Sequence, residues 1–231
     1  MSNSAIYIII IVEGKTERTF VEQVLAPTMA FKGIYLTASI LGKVGHKGGN
    51  ISFERARSDI GRFLQQRSDT YISTMFDYFR IDSHWAGKET LDKKVKSGVK
   101  LSITEKAATL EDATLVQMKQ FFPEYNIEKR FIPYIEMHEF EALLFSDAEI
   151  LANKLKIPIA QINAILAEYD SPEDINSDPS KAPSKQLEKL VDNYKKVIMG
   201  KVISEAIGIN TIRQQCLHFN DWLLKLESLS K

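Results

Sequence analysis

Three hydrophobic segments of the chain each run into a carboxylate: Val12 is followed by Glu13, Phe76 by Asp77 and Ile135 by Glu136. If these segments are parallel strands of one open sheet, their carboxyl ends border the crevice in which α/β proteins bind ligands. Acids gathered there repel one another unless positive charge lies between them. A hard divalent cation such as Mg²⁺ or Mn²⁺ suits such oxygen donors best. Glu17, one helical turn beyond Glu13, offers a further oxygen. The alternative is that each acid is solvated or caps the helix that follows it.

Two local motifs fall short of the chemistry they imitate. Gly14-Lys15-Thr16 resembles the end of a phosphate-binding P-loop, but the glycine required five residues earlier is Ile9, and Glu13 would set a negative charge against the phosphates. His138-Glu139-Phe140-Glu141 begins like a zinc-protease helix, yet the position of the second histidine is Ala142. On a helix His138 and Glu141 share one face while Phe140, Leu143 and Leu144 anchor the other. Both would then point into the crevice beside Glu136, with His138 as an acid or base. An acidic first turn favoured by the helix dipole is the alternative. Lys185 follows Pro183-Ser184 at a helix start and, like Lys47, is a candidate for contact with phosphate. His84 and Trp85, after the Asp77 segment, read as a solvated loop or the wall of a substrate path. Cys216 reads as core.

The elements that must hold these residues follow from hydrophobic spacing. Residues 5–12 form a nearly continuous β-branched run, predicting a strand buried on both faces and therefore helices on both faces of the sheet. Residues 16–29 place Phe20, Val21, Val24 and Leu25 on one helical face, with Thr16 as N-cap. A second strand is expected over 33–41, then a glycine-rich loop carrying Lys43, His46 and Lys47, a helix over 53–64 and a strand over 71–76. Irregular or short helical structure is expected over 85–100, a helix over 102–122, and a strand over 131–135 whose Pro133 suggests an edge. Helices are expected over 137–145, 150–166, 185–199 and 214–229, with a long loop over 169–184. The outcome is an α/β fold with a mostly parallel, Rossmann-like sheet, helices on both faces and a helical C-terminal part. Its expected division is an α/β catalytic core over 1–150 and a helical region, packed on it, over 151–231.

The strings Val12-Glu13-Gly14-Lys15-Thr16-Glu17 and Thr74-Met75-Phe76-Asp77-Tyr78-Phe79 resemble the Toprim domain of topoisomerases, primases and OLD-type nucleases. More narrowly, Gly45-His46-Lys47-Gly48-Gly49, Met75-Phe76-Asp77-Tyr78, the string from Tyr134 to Asp147 and Ala182-Pro183-Ser184-Lys185 resemble the DUF4276 family of Toprim-like bacterial proteins. The resemblance implies that Glu13 and Asp77 hold Mg²⁺ or Mn²⁺, with Glu17 as a third ligand. The second acid of the family's DxD pair is replaced by Phe79, a place that Glu136, Glu139 or Glu141 could fill. It further implies a metal-dependent nuclease of bacterial defence against phage or mobile DNA, or else a non-catalytic binding or sensing subunit. An ATPase and a second copy of the chain are the candidate protein partners.

Composition sets the remaining bounds. The chain has 231 residues, and its single cysteine excludes an internal disulfide framework, which fits a reducing, cytoplasmic setting. Its longest apolar run, 5–12, is too short to cross a bilayer, and no basic segment precedes it as in a signal peptide. The 30 basic and 30 acidic residues cancel, which argues against a uniformly basic nucleic-acid surface. The sum conceals blocks: residues 43–67 carry six basic and two acidic side chains, 181–201 carry the same, and 133–149 carry five acids without a Lys or Arg. An acidic pocket flanked by basic loops is compatible with DNA or RNA held by its backbone.

Overall fold

A computed structural model describes residues 5–42, 51–175 and 181–230. Strand β1 (Ile6–Val12) leads into α1 (Lys15–Phe20), which continues through a π-helical turn, Val21–Leu25, into α2 (Ala26–Ala30). Strand β2 (Ile34–Ile40), α3 (Phe53–Gln66), β3 (Thr70–Asp77), α4 (Lys88–Lys96), α5 (Ile103–Phe121) and the short α6 (Ile127–Arg130) follow. Two-residue strands β4 (Phe131–Ile132) and β5 (Ile135–Glu136) precede a 3₁₀ turn, Phe140–Ser146. The C-terminal part is helical: α7 (Ala148–Leu155), α8 (Ile159–Leu166), α9 (Pro183–Leu190), α10 (Lys196–Ile207), α11 (Ile209–Gln215) and α12 (Leu217–Ser228).

The sheet order is β2-β1-β3-β4, with β5 continuing along β3, and each of these ladders is parallel. The chain leaves β1 for β2 on one side and returns to β3 on the other. The helices after β1 and β2 therefore fall on opposite faces: Phe20, Leu25 and Met29 join one core with Ile8, Ile10 and Val12, whereas Ala56, Ile60 and Leu64 join a second with Ile11, Ile72 and Phe76. The C-terminal helices complete the first core through Ile203, Ile212, Phe219, Trp222 and Leu226. Trp222 also donates its indole N–H to Ser73 Oγ of β3 at 2.9 Å. The α/β architecture, the parallel sheet and the helical C-terminal part agree with the sequence reading. Two-sided burial of β1 holds towards its carboxyl end, while Tyr7 near its start remains 44 % exposed.

Four local expectations are corrected. Thr16 is not the N-cap: Gly14, extended at φ −146°, is, and α1 starts at Lys15 without a side-chain cap. The strand expected over 131–135 is split, because Tyr134 exchanges its backbone N–H and C=O bonds with the Thr74 hydroxyl, each at 2.9 Å, instead of joining the ladder. Its edge position is as Pro133 suggested. The helix expected over 137–145 is instead extended through Glu139 and then turns as 3₁₀, every residue of Phe140–Ser146 being buried. With the backbone extended at Glu139, His138 and Glu141 do not share a helical face, and their expected pairing does not exist. Trp85 is neither part of a solvated loop nor a path wall: it is buried and donates to Thr114 Oγ1 at 3.0 Å, while His84 is exposed as a loop residue.

Candidate functional site

Because β1 lies between β2 and β3, the carboxyl ends of β1 and β3 form the point where strand order reverses, and a crevice opens outside them. Glu13 follows β1 directly, Asp77 is the last residue of β3, and Val12 is in register with Met75, so the two acids emerge side by side. Glu17, in the first turn of α1, comes back over the same spot. A Cβ on Gly14 would lie 3.1 Å from Glu17 Oε2, so glycine at the strand-to-helix turn leaves room for this carboxylate. The 3₁₀ turn brings Glu139 and Glu141 to the opposite wall. The resulting cavity, about 490 Å³, is lined by these five acids together with Thr16, Phe79, Arg80, Lys185 and Lys196, among others.

Four of the five acids are each held by a different partner. Arg80 Nε donates to Glu13 Oε1 at 2.7 Å, whereas Glu13 Oε2 is buried with no hydrogen-bond partner. The backbone N–H of Phe140 donates to Asp77 Oδ1 at 3.1 Å. Glu139 Oε2 accepts the N–H of Ser184 at 3.2 Å, near the N-terminus of α9. Lys196 Nζ lies 3.4 Å from Glu141 Oε1. Lys196 reaches the cleft because α10 packs closely against its neighbours at Gly200, where a Cβ would sit 2.9 Å from Phe140 Cε1. Among the described residues no three His, Cys, Asp or Glu side chains are gathered as a formed metal site.

The electrostatics follow from burial. Asp77 is pushed well above the ordinary carboxylate range by desolvation and then by the charges of Glu17, Glu13, Glu141 and Glu139. Glu17 rises to about 7 for the same first reason, with Glu13 and Glu141 adding to it and backbone N–H groups opposing it. Burial also raises Glu13 against the pull of Arg80, and Glu141 against that of Lys196. The cleft therefore carries fewer negative charges than its residues allow, and an entering cation would be drawn by all of them.

The residues singled out from the sequence divide sharply. Glu13, Glu17, Asp77, Glu141 and Lys185 line the cavity. Lys185 stands at its rim, 2.6 Å from Glu188. Glu136 and His138 do not line it. Glu136 is fully buried, receives the Tyr134 hydroxyl at 2.7 Å, and is pushed to about 8 by burial and by the charge of Glu173. His138 packs flat against the inner side of Phe79, ring centroids 5.2 Å apart, and burial first of all lowers it to about 4, so its imidazole is neutral near pH 7. Lys43, His46 and Lys47 lie outside the described residues. Arg80 and Lys196 escaped the sequence reading, and Glu139 entered it only as a possible substitute for the missing acid. Arg80 had one available signal, its place three residues beyond Asp77, but Lys196 had none nearby.

The fold and cleft define an α/β protein with a carboxylate-lined crevice at the switch point of a parallel sheet. A family model described as "Domain of unknown function (DUF4276)" matches residues 12–227, and the chain belongs to that family. No curated protein and no solved structure matches it significantly. Among the described residues no helix is long and apolar enough to cross a membrane.

Proposed function

We propose that this chain is a Toprim-like phosphodiesterase that hydrolyses nucleic acid with Mg²⁺ or Mn²⁺. The observation that carries the reading is the convergence of five carboxylates on one crevice, with Glu13 Oε2 buried and without a partner. That donor set fits a hard cation, since oxygens whose ionised forms are destabilised by burial and mutual repulsion gain most from a divalent charge. Glu13, Glu17, Asp77 and Glu141 would hold it, with Glu139 beside them. A bound cation supplies charge to offset that of the attacked phosphate and a water acidified towards neutrality. Lys196 and Lys185 present positive charge to a phosphodiester entering the cleft. Lys43, His46 and Lys47 belong to the same proposal as backbone contacts, as do a cytoplasmic setting, an ATPase partner, a second copy of the chain and a role in defence against phage or mobile DNA. The proposal leaves His138 and Glu136, which do not line the cleft, in a supporting place.

The test is incubation with plasmid, single-stranded DNA and tRNA in Mg²⁺ or Mn²⁺. The wild-type chain should cleave at least one of them, and Glu13→Gln or Asp77→Asn should slow cleavage roughly a hundredfold or more. Cleavage unchanged in both variants sinks the assignment. One observation favours a second reading: Phe79 stands in the cavity wall where the Toprim pattern has its second acid. A non-catalytic sensing module would bind Mn²⁺ in a calorimetric titration but cleave nothing, even with an ATPase partner added.

A further inference from the structure

Arg80 is the one guanidinium that lines the carboxylate cleft among the described residues. Its backbone is fixed by the turn that ends β3, where its N–H donates to the Asp77 carbonyl at 2.9 Å, and the next residue, Ile81, bridges to Ile51. The side chain reaches back across the cleft to Glu13 Oε1 and remains 47 % exposed. Glu13 thus has one oxygen held by an internal cation and its other oxygen buried with no partner. The guanidinium end of this pair is half-exposed, so the arginine can exchange Glu13 for water or another anion at little loss.

We infer that Arg80 makes the bond to Glu13 that a divalent cation competes for, and that the cation's arrival releases the guanidinium to a phosphate of the nucleic acid. This inference rests on the proposed cation-dependent reading and adds to it an order of events: cation first, backbone contact second. The turn keeps the freed side chain at the cavity mouth, and its planar fork suits a phosphate's paired oxygens. Arg80 then lowers cation affinity in the absence of nucleic acid and raises nucleic-acid affinity in its presence, so the two ligands bind cooperatively.

The experiment is a calorimetric Mn²⁺ titration of wild type, Arg80→Gln and Arg80→Lys, with circular dichroism to verify folding and Arg80→Met in reserve. Arg80→Gln should bind Mn²⁺ roughly threefold to tenfold more tightly than wild type, as expected for removal of a partly exposed counter-ion. Arg80→Lys, which keeps the charge, should stay near wild type. A fluorescein-labelled DNA 20-mer followed by anisotropy should bind wild type more tightly when Ca²⁺ is added, and that increment should be lost in Arg80→Gln. Equal or weaker Mn²⁺ binding by a folded Arg80→Gln overturns the inference while leaving the cation site intact. Absence of Mn²⁺ binding by all variants removes the cation reading, and this inference with it.

Discussion

Two groups of buried carboxylates meet at the β3–β5 junction, where Asp77 is in register with Glu136, yet they solve the same electrostatic problem in opposite ways. Around Glu136 the chain supplies most of the partners itself, although Glu136 Oε1, like Glu13 Oε2, is buried without one. Glu173 accepts the N–H groups of His218 and Phe219 at 3.0 and 2.9 Å, at the start of α12. Glu111 Oε1 accepts the Ile135 N–H at 3.0 Å and lies 3.1 Å from His218 Nε2. Burial would lower His218, but its bond to Glu111 and the nearby acids outweigh this and raise it to about 8, so an imidazolium balances the carboxylates. The ring of Tyr134, whose hydroxyl serves Glu136, is stacked between His218 and Trp222. Around Asp77 two acids pair with cations, Arg80 and Lys196, two accept the Phe140 and Ser184 N–H groups, and the cluster faces a cavity that Lys15 and Lys185 also line. What separates the two is access: Glu136 and its orphaned oxygen are sealed in the core, outside the cleft. The second cluster faces a cavity and so offers a place for something that enters.

Removing one member of each cluster should separate them most strongly. Glu111→Ala leaves His218 without its carboxylate and the Ile135 N–H without an acceptor in the core, and should cost about 3–5 kcal/mol in urea denaturation. Asp77→Asn keeps an acceptor for the Phe140 N–H and removes repulsion, so its stability should stay within about 1 kcal/mol of wild type or exceed it. A comparable loss in both variants would erase the distinction. Next in size is the response to cation. Mn²⁺ at a hundred times its dissociation constant should stabilise the wild type by about 2.7 kcal/mol, seen as a rise in melting temperature. The rise should disappear in Asp77→Asn and persist in Glu136→Gln, because only the former touches the cleft.

The contrast also explains which parts of the molecule could be read from sequence. Strand ends that finish in an acid are local, so Glu13 and Asp77 were legible, and parallel pairing placed them together. The architecture was legible for the same reason, since β1 declares its burial through composition. The stretch from Met137 to Ser146 was not. Phe140, Leu143 and Leu144 have helical spacing, but the turn is sealed within the protein and its first N–H is committed to Asp77, a long-range bond that no local pattern encodes. Glu136 looked equivalent to Asp77 because both end a strand. Its environment is decided by Tyr134, His218 and Glu173, residues whose approach depends on how α12 packs. Lys196 likewise reaches Glu141 through the close passage of α10 at Gly200. Charge blocks gave a coarse hint: of the basic residues in 181–201, Lys185 and Lys196 face the cleft, while Lys181 and Lys201 pair with Glu168 and Glu205.

The last expected effect is the dependence of stability on pH, and it divides the clusters by their response to Mg²⁺. Glu17 is raised from 4.5 to about 7, so the folded chain binds more protons than the unfolded one between those values. Its contribution to stability is complete below pH 4.5 and is lost as pH rises through 7. Glu136 has the same sign, its contribution lost through about 8, and that of His218, raised from 6.5, is complete below 6.5 and lost through about 8. Each proton released steepens the decline by at most about 1.4 kcal/mol per pH unit. His138 runs the other way: lowered to about 4, it contributes stability above pH 6.5 that is lost as pH falls through 4. Chemical denaturation from pH 5 to 8 should therefore show stability falling with pH. Saturating Mg²⁺ should flatten the part due to the cleft, since it stabilises the ionised acids, and Glu17→Gln should flatten the same part without it. Glu136→Gln should flatten the slope equally with and without Mg²⁺, because Glu136 lies outside the cleft. A slope that Mg²⁺ leaves untouched would mean that no cation reaches the acids of the cleft.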